Sequence, residues 1–278
     1  MSSESNTVPT PHYFCFESYG VPVRIETGDP RLLNDAKIAA KRSLVGNFRL
    51  IEDREPARIY RVYRENGDYR VSKDGEDFRP RISRQDFLEF FDTEVRITVA
   101  EFAPGHVFVH SGVVGWKGKA IVIPGSSFSG KTTLVAELVR KGADYYSDEY
   151  AVFDDSGLVH PFARKLAMRS RPVPGEETQT TYLTAKSLGG KAGKEPMPVG
   201  CLLITKFAEN AKWKPQVLTS GQGVMEMLSQ TLPIRYAPEF CLKVLKKVAT
   251  NAIIVKSPRF DAGEFASFFL DFVENKAL

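Results

Sequence analysis

At 278 residues, with 42% hydrophobic and 26% charged side chains, the chain has the composition of a globular protein and room for one large domain or two ordinary ones. Its net charge of +4 is spread along the sequence, and no dense Lys/Arg block is interleaved with aromatics, so nucleic acid is not an expected partner. Cys15, Cys201 and Cys241 are widely spaced, form no CxxC pair and fit no disulfide framework. That usage points to a reducing, cytoplasmic compartment. No apolar run approaches bilayer length, so no membrane association is expected. The polar stretch Met1 to Pro11 lacks the pattern of a signal peptide, and its first ten or so residues are expected to be disordered.

Tyr13 to Ile25 is aromatic and β-branched, broken by Gly20, and reads as strand. Asp29-Pro30 opens a helical segment, Arg31 to Val45. Ala57–Tyr63 and Tyr69–Ser72 flank Asn66-Gly67, a strong hairpin signal. Arg84 to Thr93 reads as a helix with Phe87, Leu88, Phe90 and Phe91 on its apolar side, and Val95 to Phe102 either continues it or forms a strand. This third of the chain carries no catalytic motif. It is expected to be a small α+β domain, residues 1–98, ahead of a larger domain, 99–278.

The second region opens with the apolar run Val107 to Val114. A short turn, Gly115 to Gly118, leads into a second run, Lys119 to Ile123. That turn is too short for a crossover helix, so the two strands must be antiparallel neighbours. Directly after them, Gly125-Ser126-Ser127-Phe128-Ser129-Gly130-Lys131-Thr132 fits G-x-x-x-x-G-K-[ST] at every fixed position. Leu134, Val135, Leu138 and Val139 then mark a helix face. Strand, glycine-rich loop and helix are the context of a phosphate-binding loop. Its amides and the helix N-terminus converge on phosphate oxygens, Lys131 reaches the β- and γ-phosphates, and the Thr132 hydroxyl can ligate Mg²⁺. The chain is therefore expected to bind a nucleoside triphosphate. An antiparallel neighbour sets it apart from ordinary P-loop proteins, whose loop strand sits in a mostly parallel sheet.

Lys141-Gly142 closes the helix, and the acid pair Asp148-Glu149 follows one helix and one turn after Lys131, so it can return to the loop's mouth. The residues before the pair, Asp144 to Ser147, are polar or tyrosine and the apolar run follows, which places the acids at the start of a strand. Asp154 to Gly157 reads as a turn between Tyr150–Phe153 and Leu158–Phe162. His110, on the strand antiparallel to the loop strand, is in register to approach the phosphate end. His106 and His160 read as loop or edge residues. Arg164, Lys165, Arg169 and Arg171 form a basic segment that either holds a phosphate or is solvated.

Pro172 to Pro198, rich in Gly, Pro, Thr and Lys, reads as a long mobile loop. Strands are expected at Val199–Thr205, Gln216–Leu218 and Ala252–Val255. Helices are expected at Gly223–Leu232, Pro238–Ala249 and Gly263–Glu274.

Val109-His110-Ser111-Gly112-Val113, the short hairpin, the loop Gly125 to Thr132 and the pair Asp148-Glu149 together resemble the catalytic domain of bacterial HPr kinase/phosphorylase. The resemblance covers roughly residues 105 to 175. It implies an α/β fold with a P-loop kinase core and mixed sheet of the HPr kinase / phosphoenolpyruvate carboxykinase-like type. It also implies ATP and Mg²⁺ as cofactors and transfer of the γ-phosphate to a serine or other hydroxyl. By that likeness Asp148 is the general base, Glu149 and Thr132 assist Mg²⁺, and His110 sits near the transferred phosphate. A protein, peptide or small-molecule acceptor and a homo-oligomer are the partners it suggests. The chain departs from the family at Thr132-Thr133, where Ser-Glu is common, and at Glu149, where Asp is usual; Thr219 to Met227 is at best a degenerate form of the family's C-terminal signature. A nucleotide-binding regulatory or assembly protein, or an ATPase without kinase activity, is the alternative. A GTPase is disfavoured because Thr205-Lys206-Phe207-Ala208 lacks both Asn and Asp of N-K-x-D.

Overall fold

The computed structural model describes residues 12–52, 54–126, 129–170 and 179–275; the expected disorder of the first ten residues falls outside them. The chain divides into two compact units, Met1–Pro104 and Gly105–Leu278. Both are mixed α/β, with six helices among the described residues.

In the first unit β1 (His12–Ser18) and β2 (Val21–Thr27) form a hairpin, followed by α1 (Pro30–Ser43), β3 (Arg49–Ile51), β4 (Arg58–Glu65), β5 (Asp68–Lys73), β6 (Glu76–Ile82) and α2 (Arg84–Phe102). The sheet runs β3-β1-β2-β4-β5-β6. Only β2 and β4 are parallel, as a crossover through α1 requires. Asn66 and Gly67, both at positive φ, make the expected tight turn between β4 and β5. Val95 to Phe102 continues the helix, so α2 runs through residue 98, where the domain division was expected. Phe87, Phe91, Val95 and Val99 along it are fully buried with Phe16, Ile25, Tyr60 and Val71 of the sheet.

The second unit contains β7 (His106–Trp116), β8 (Lys119–Pro124), α3 (Lys131–Arg140), β9 (Asp144–Ser147), β10 (Tyr150–Asp154), β11 (Val159–His160), β12 (Leu166–Arg169), β13 (Thr180–Leu183), β14 (Val199–Ile204), β15 (Gln216–Val217), α4 (Ser220–Leu228), α5 (Pro238–Asn251), β16 (Ile253–Lys256) and α6 (Ala262–Asn275). Its main sheet is ordered β11-β10-β7-β8-β14-β16-β15, with β9 also on β7. β7 and β8 are antiparallel, whereas β14 is parallel to both β8 and β16. The central strands are buried on both faces and therefore read as continuous apolar runs. One core contains α3 and α6 residues such as Leu134, Leu138, Phe265 and Phe269. The other contains α5 residues Val244 and Leu245 with Val109, Val122 and Leu202.

The expected mobile loop over Pro172–Pro198 is not one in its described part. β13 pairs with β12, a 3-10 turn spans Lys186–Leu188, and Leu188 joins the core beside α3. Residues 191 to 193 then bind the edge of β9: the Tyr145 amide donates to the Lys191 carbonyl at 2.8 Å, and the Gly193 amide donates to the Tyr145 carbonyl at 2.8 Å. A Cβ at Gly193 would lie 2.0 Å from the Tyr146 ring. Gly193, one of the glycines that make this stretch read as loop, is what lets the chain press onto that ring.

Gly112 plays a similar part between β7 and α3, since a Cβ there would lie 2.6 Å from Val135 Cγ2. Gly112→Ala is expected to cost about 1–3 kcal/mol through overpacking against a stiff β-branched neighbour. Urea denaturation of the two proteins measures it; equal midpoints would show that α3 does not pack this closely on β7.

Candidate functional site

The loop is positioned by the two strands before it. Ser111 on β7 pairs with Pro124, the last residue of β8, and the Gly125 amide donates to the His110 carbonyl at 3.3 Å. The chain then turns into α3 through Gly130, at φ +85°, a left-handed conformation that suits glycine. The Lys131 side chain folds back over the loop, and its Nζ donates to the carbonyls of Gly125 at 2.6 Å and Ser126 at 2.8 Å. Burial lowers its pKa from 10.5 to about 8, against the opposing pull of Glu149 and Asp148. Thr132 and Thr133 lie in the first turn of α3, the former half-buried and the latter exposed. Ser127 and Phe128 lie outside the described residues.

The acids arrive on the other edge of β7. β9 and β10 are both antiparallel to β7, so together they form one strand interrupted at Asp148-Glu149. The acids do precede a strand, but the polar residues ahead of them form a strand as well, because Tyr145, Tyr146 and Ser147 are buried against the sheet. The Ser147 hydroxyl shapes the break by accepting from the amides of Glu149 (3.1 Å) and Tyr150 (2.9 Å). The Glu149 carbonyl accepts from the Ser111 amide at 3.1 Å, which holds the break level with the end of β8.

Asp148 is 8% exposed and accepts a hydrogen bond from Tyr145 Oη at 2.9 Å. Burial raises its pKa from 3.8 to about 6. The Tyr145 bond and the Ala167 amide oppose that rise, and the neighbouring Glu149 charge adds to it. Glu149 is half-buried.

The His110 amide donates to the Gln230 carbonyl at 2.8 Å, and its ring meets that of Tyr150 edge-on at 6.2 Å. Its backbone thus lies against the loop. His106 and His160 are strand residues: His160 Nε2 lies 2.8 Å from Asp154 Oδ2, and His106 packs edge-on against His160. This cluster sits at the far end of β10 from the acid pair. Of the basic segment, Arg169 ends β12, Arg164 and Lys165 precede that strand, and Arg171 lies outside the described residues.

Three contributors escaped the sequence reading. Arg259, 2% exposed, donates from Nη2 to the Gly130 carbonyl at 2.9 Å, and a Cβ at Gly130 would lie 2.5 Å from that nitrogen. Tyr145 orients Asp148, and Ser147 forms the strand break. None belongs to a motif, although a serine immediately before an acid pair is a signal for a turn within a strand.

The residues fit a bound triphosphate. The loop leads into a helix N-terminus, holds a buried ammonium, and contains the Ser129 hydroxyl, buried with no partner among the described residues. Beside it lies a cleft of about 300 Å³ lined by Pro124, Gly125, Ser126, Thr205, Lys206 and Gln230 among others. Among the described residues no three His, Cys, Asp or Glu side chains form a metal cage. Among the same residues no helix is long and apolar enough to cross a membrane. No family model matches the chain, and no curated protein matches it.

Because Lys131 is held near pH 8 in the free site, an arriving polyanion should raise its pKa and draw in a proton. Calorimetric titration with ATP at pH 8 in buffers of different ionisation enthalpy is expected to show net proton uptake. Release, or no exchange, would contradict the burial of that ammonium.

Proposed function

We propose that the chain is an ATP-dependent phosphotransferase of the HPr kinase type, with a P-loop kinase core like that of phosphoenolpyruvate carboxykinase. The acceptor is a hydroxyl on a protein, peptide or small molecule. The observation that carries this reading is the Asp148 carboxylate, buried at a strand break beside the phosphate loop and titrating near neutrality. A solvated acidic turn would be neither buried nor raised. A carboxylate with a pKa of about 6 is ionised at pH 7 yet basic enough to accept a proton, which suits a general base.

In this reading Asp148 accepts the proton of the incoming hydroxyl as its oxygen bonds to the γ-phosphorus and the bond to ADP breaks. Tyr145 holds the carboxylate in place. Lys131 exchanges the Gly125 and Ser126 carbonyls for phosphate oxygens. Thr132 and Glu149 would hold Mg²⁺, which supplies neutralisation of phosphate charge when bound. The transition state is loose, so positioning and charge matter more than base strength. The same reading places the activity in the cytoplasm.

Labelled γ-phosphate in cell extract, followed to the molecule that receives it, tests the proposal. Asp148→Asn is expected to retain ATP binding and lose at least about 10² in transfer rate, whereas Lys131→Ala should lose both. Transfer requires the ionised carboxylate, so the rate should rise with pH through about 6 and be protonated away below it. Full transfer by Asp148→Asn would remove the base assignment. ATP binding with no acceptor labelled would favour the regulatory or ATPase alternative, to which the departures at Thr133 and Glu149 lend weight.

A further inference from the structure

The parallel strands β14 and β16 end beside the phosphate loop. Just past their ends Phe207 and Arg259 form an isolated parallel bridge. Both residues also touch the loop. The Phe207 amide donates to the Ser129 carbonyl at 3.5 Å, and Arg259 Nη2 donates to that of Gly130. A Cβ placed on Gly130 would lie 3.7 Å from the Phe207 Cβ, which sets that side chain against the entry to α3.

The two side chains differ sharply in exposure. Arg259 is 2% exposed, and the hydrogen bonds of its guanidinium go to the carbonyls of Gly130 and Phe260. Among the described residues no carboxylate forms an ion pair with it. Phe207 is 42% exposed, and the guanidinium lies over its ring, 5.6 Å from the centroid. A single exposed aromatic needs no explanation of its own. One backed by a buried guanidinium, and fastened to the loop that would hold a triphosphate, offers a flat polarisable surface of the kind on which bases stack.

We propose that Phe207, held by Arg259, is the stacking platform for the nucleobase of the bound triphosphate. This rests on the reading of the loop as a triphosphate site and adds where the nucleoside end goes. The cleft lined by Thr205, Lys206, Ser257 and Pro258 lies at the same strand ends. The positions that read guanine in N-K-x-D proteins are Thr205 and Ala208 here, so that motif does not select guanine at this platform. Stacking without edge recognition is tolerant of the base. ATP and GTP should therefore bind within about tenfold of each other.

The test is calorimetric titration of the full chain with Mg²⁺ and each of ATP, GTP and inorganic tripolyphosphate, in wild type, Phe207→Ala and Phe207→Trp. Phe207→Ala is expected to weaken ATP and GTP by roughly tenfold, leave tripolyphosphate unchanged, and regain its affinity in Phe207→Trp. Wild-type ATP affinity in Phe207→Ala, or equal loss of tripolyphosphate, would overturn the platform while leaving the phosphate loop standing. A preference of more than a hundredfold between the two purines would overturn it as well. Wild-type protein that binds neither nucleotide nor tripolyphosphate would sink this inference together with the reading beneath it.

Discussion

Strand β7 is the constraint on which the candidate site depends. Along one edge it is antiparallel to β8, which delivers the chain to Gly125 at the level of Ser111. Along the other it pairs with β9 and β10, whose break carries Asp148 and Glu149 past that same residue. Backbone hydrogen bonds from one strand therefore set the distance between the glycine-rich loop and a carboxylate pair. Ladder register is rigid because a slip of one residue would turn every buried side chain to the wrong face.

The electrostatics follow from that placement. Lys131 and Asp148 are both buried, and burial moves both pKa values toward neutrality, the ammonium down and the carboxyl up. The Glu149 and Asp148 charges oppose the shift of Lys131, and the Tyr145 and amide hydrogen bonds oppose that of Asp148, without cancelling either. Lys131 spends its hydrogen bonds on carbonyls of its own loop instead of forming a direct ion pair with the acids. A lysine bound in this way is poised to transfer its hydrogen bonds to a stronger acceptor. A carboxylate supported by the Tyr145 phenol and the amides of Ala167 and Asp148 itself retains lone pairs for an incoming proton.

The opposite flank of the loop is built from distant chain. Phe207 follows β14 and Arg259 follows β16, and they reach Ser129 and Gly130 only because β8, β14 and β16 are consecutive parallel strands. Ligand sites at the carboxyl ends of parallel strands arise in this way, from loops that share no sequence neighbourhood. The sheet is antiparallel on the acid side and parallel on the Arg259 side, so the two flanks of the loop meet different kinds of partner.

Local backbone structure was legible in the sequence alone. Glycine spacing with Lys131 and Thr132 marked the loop, the short turn after Trp116 dictated an antiparallel β7 and β8, and Asn66-Gly67 marked a hairpin. Each signal lies within a few residues and rests on backbone freedom or chain length, which no tertiary context alters. Only the folded chain decided that Asp148 is buried and bonded to Tyr145, that Arg259 closes on Gly130, that β13 pairs with β12, and that residues 191–193 bind the edge of β9. Those features depend on desolvation and on contacts between residues far apart in the chain. Composition and spacing carry no record of either, and a glycine that frees a loop in one setting lets the chain press against a tyrosine ring in another.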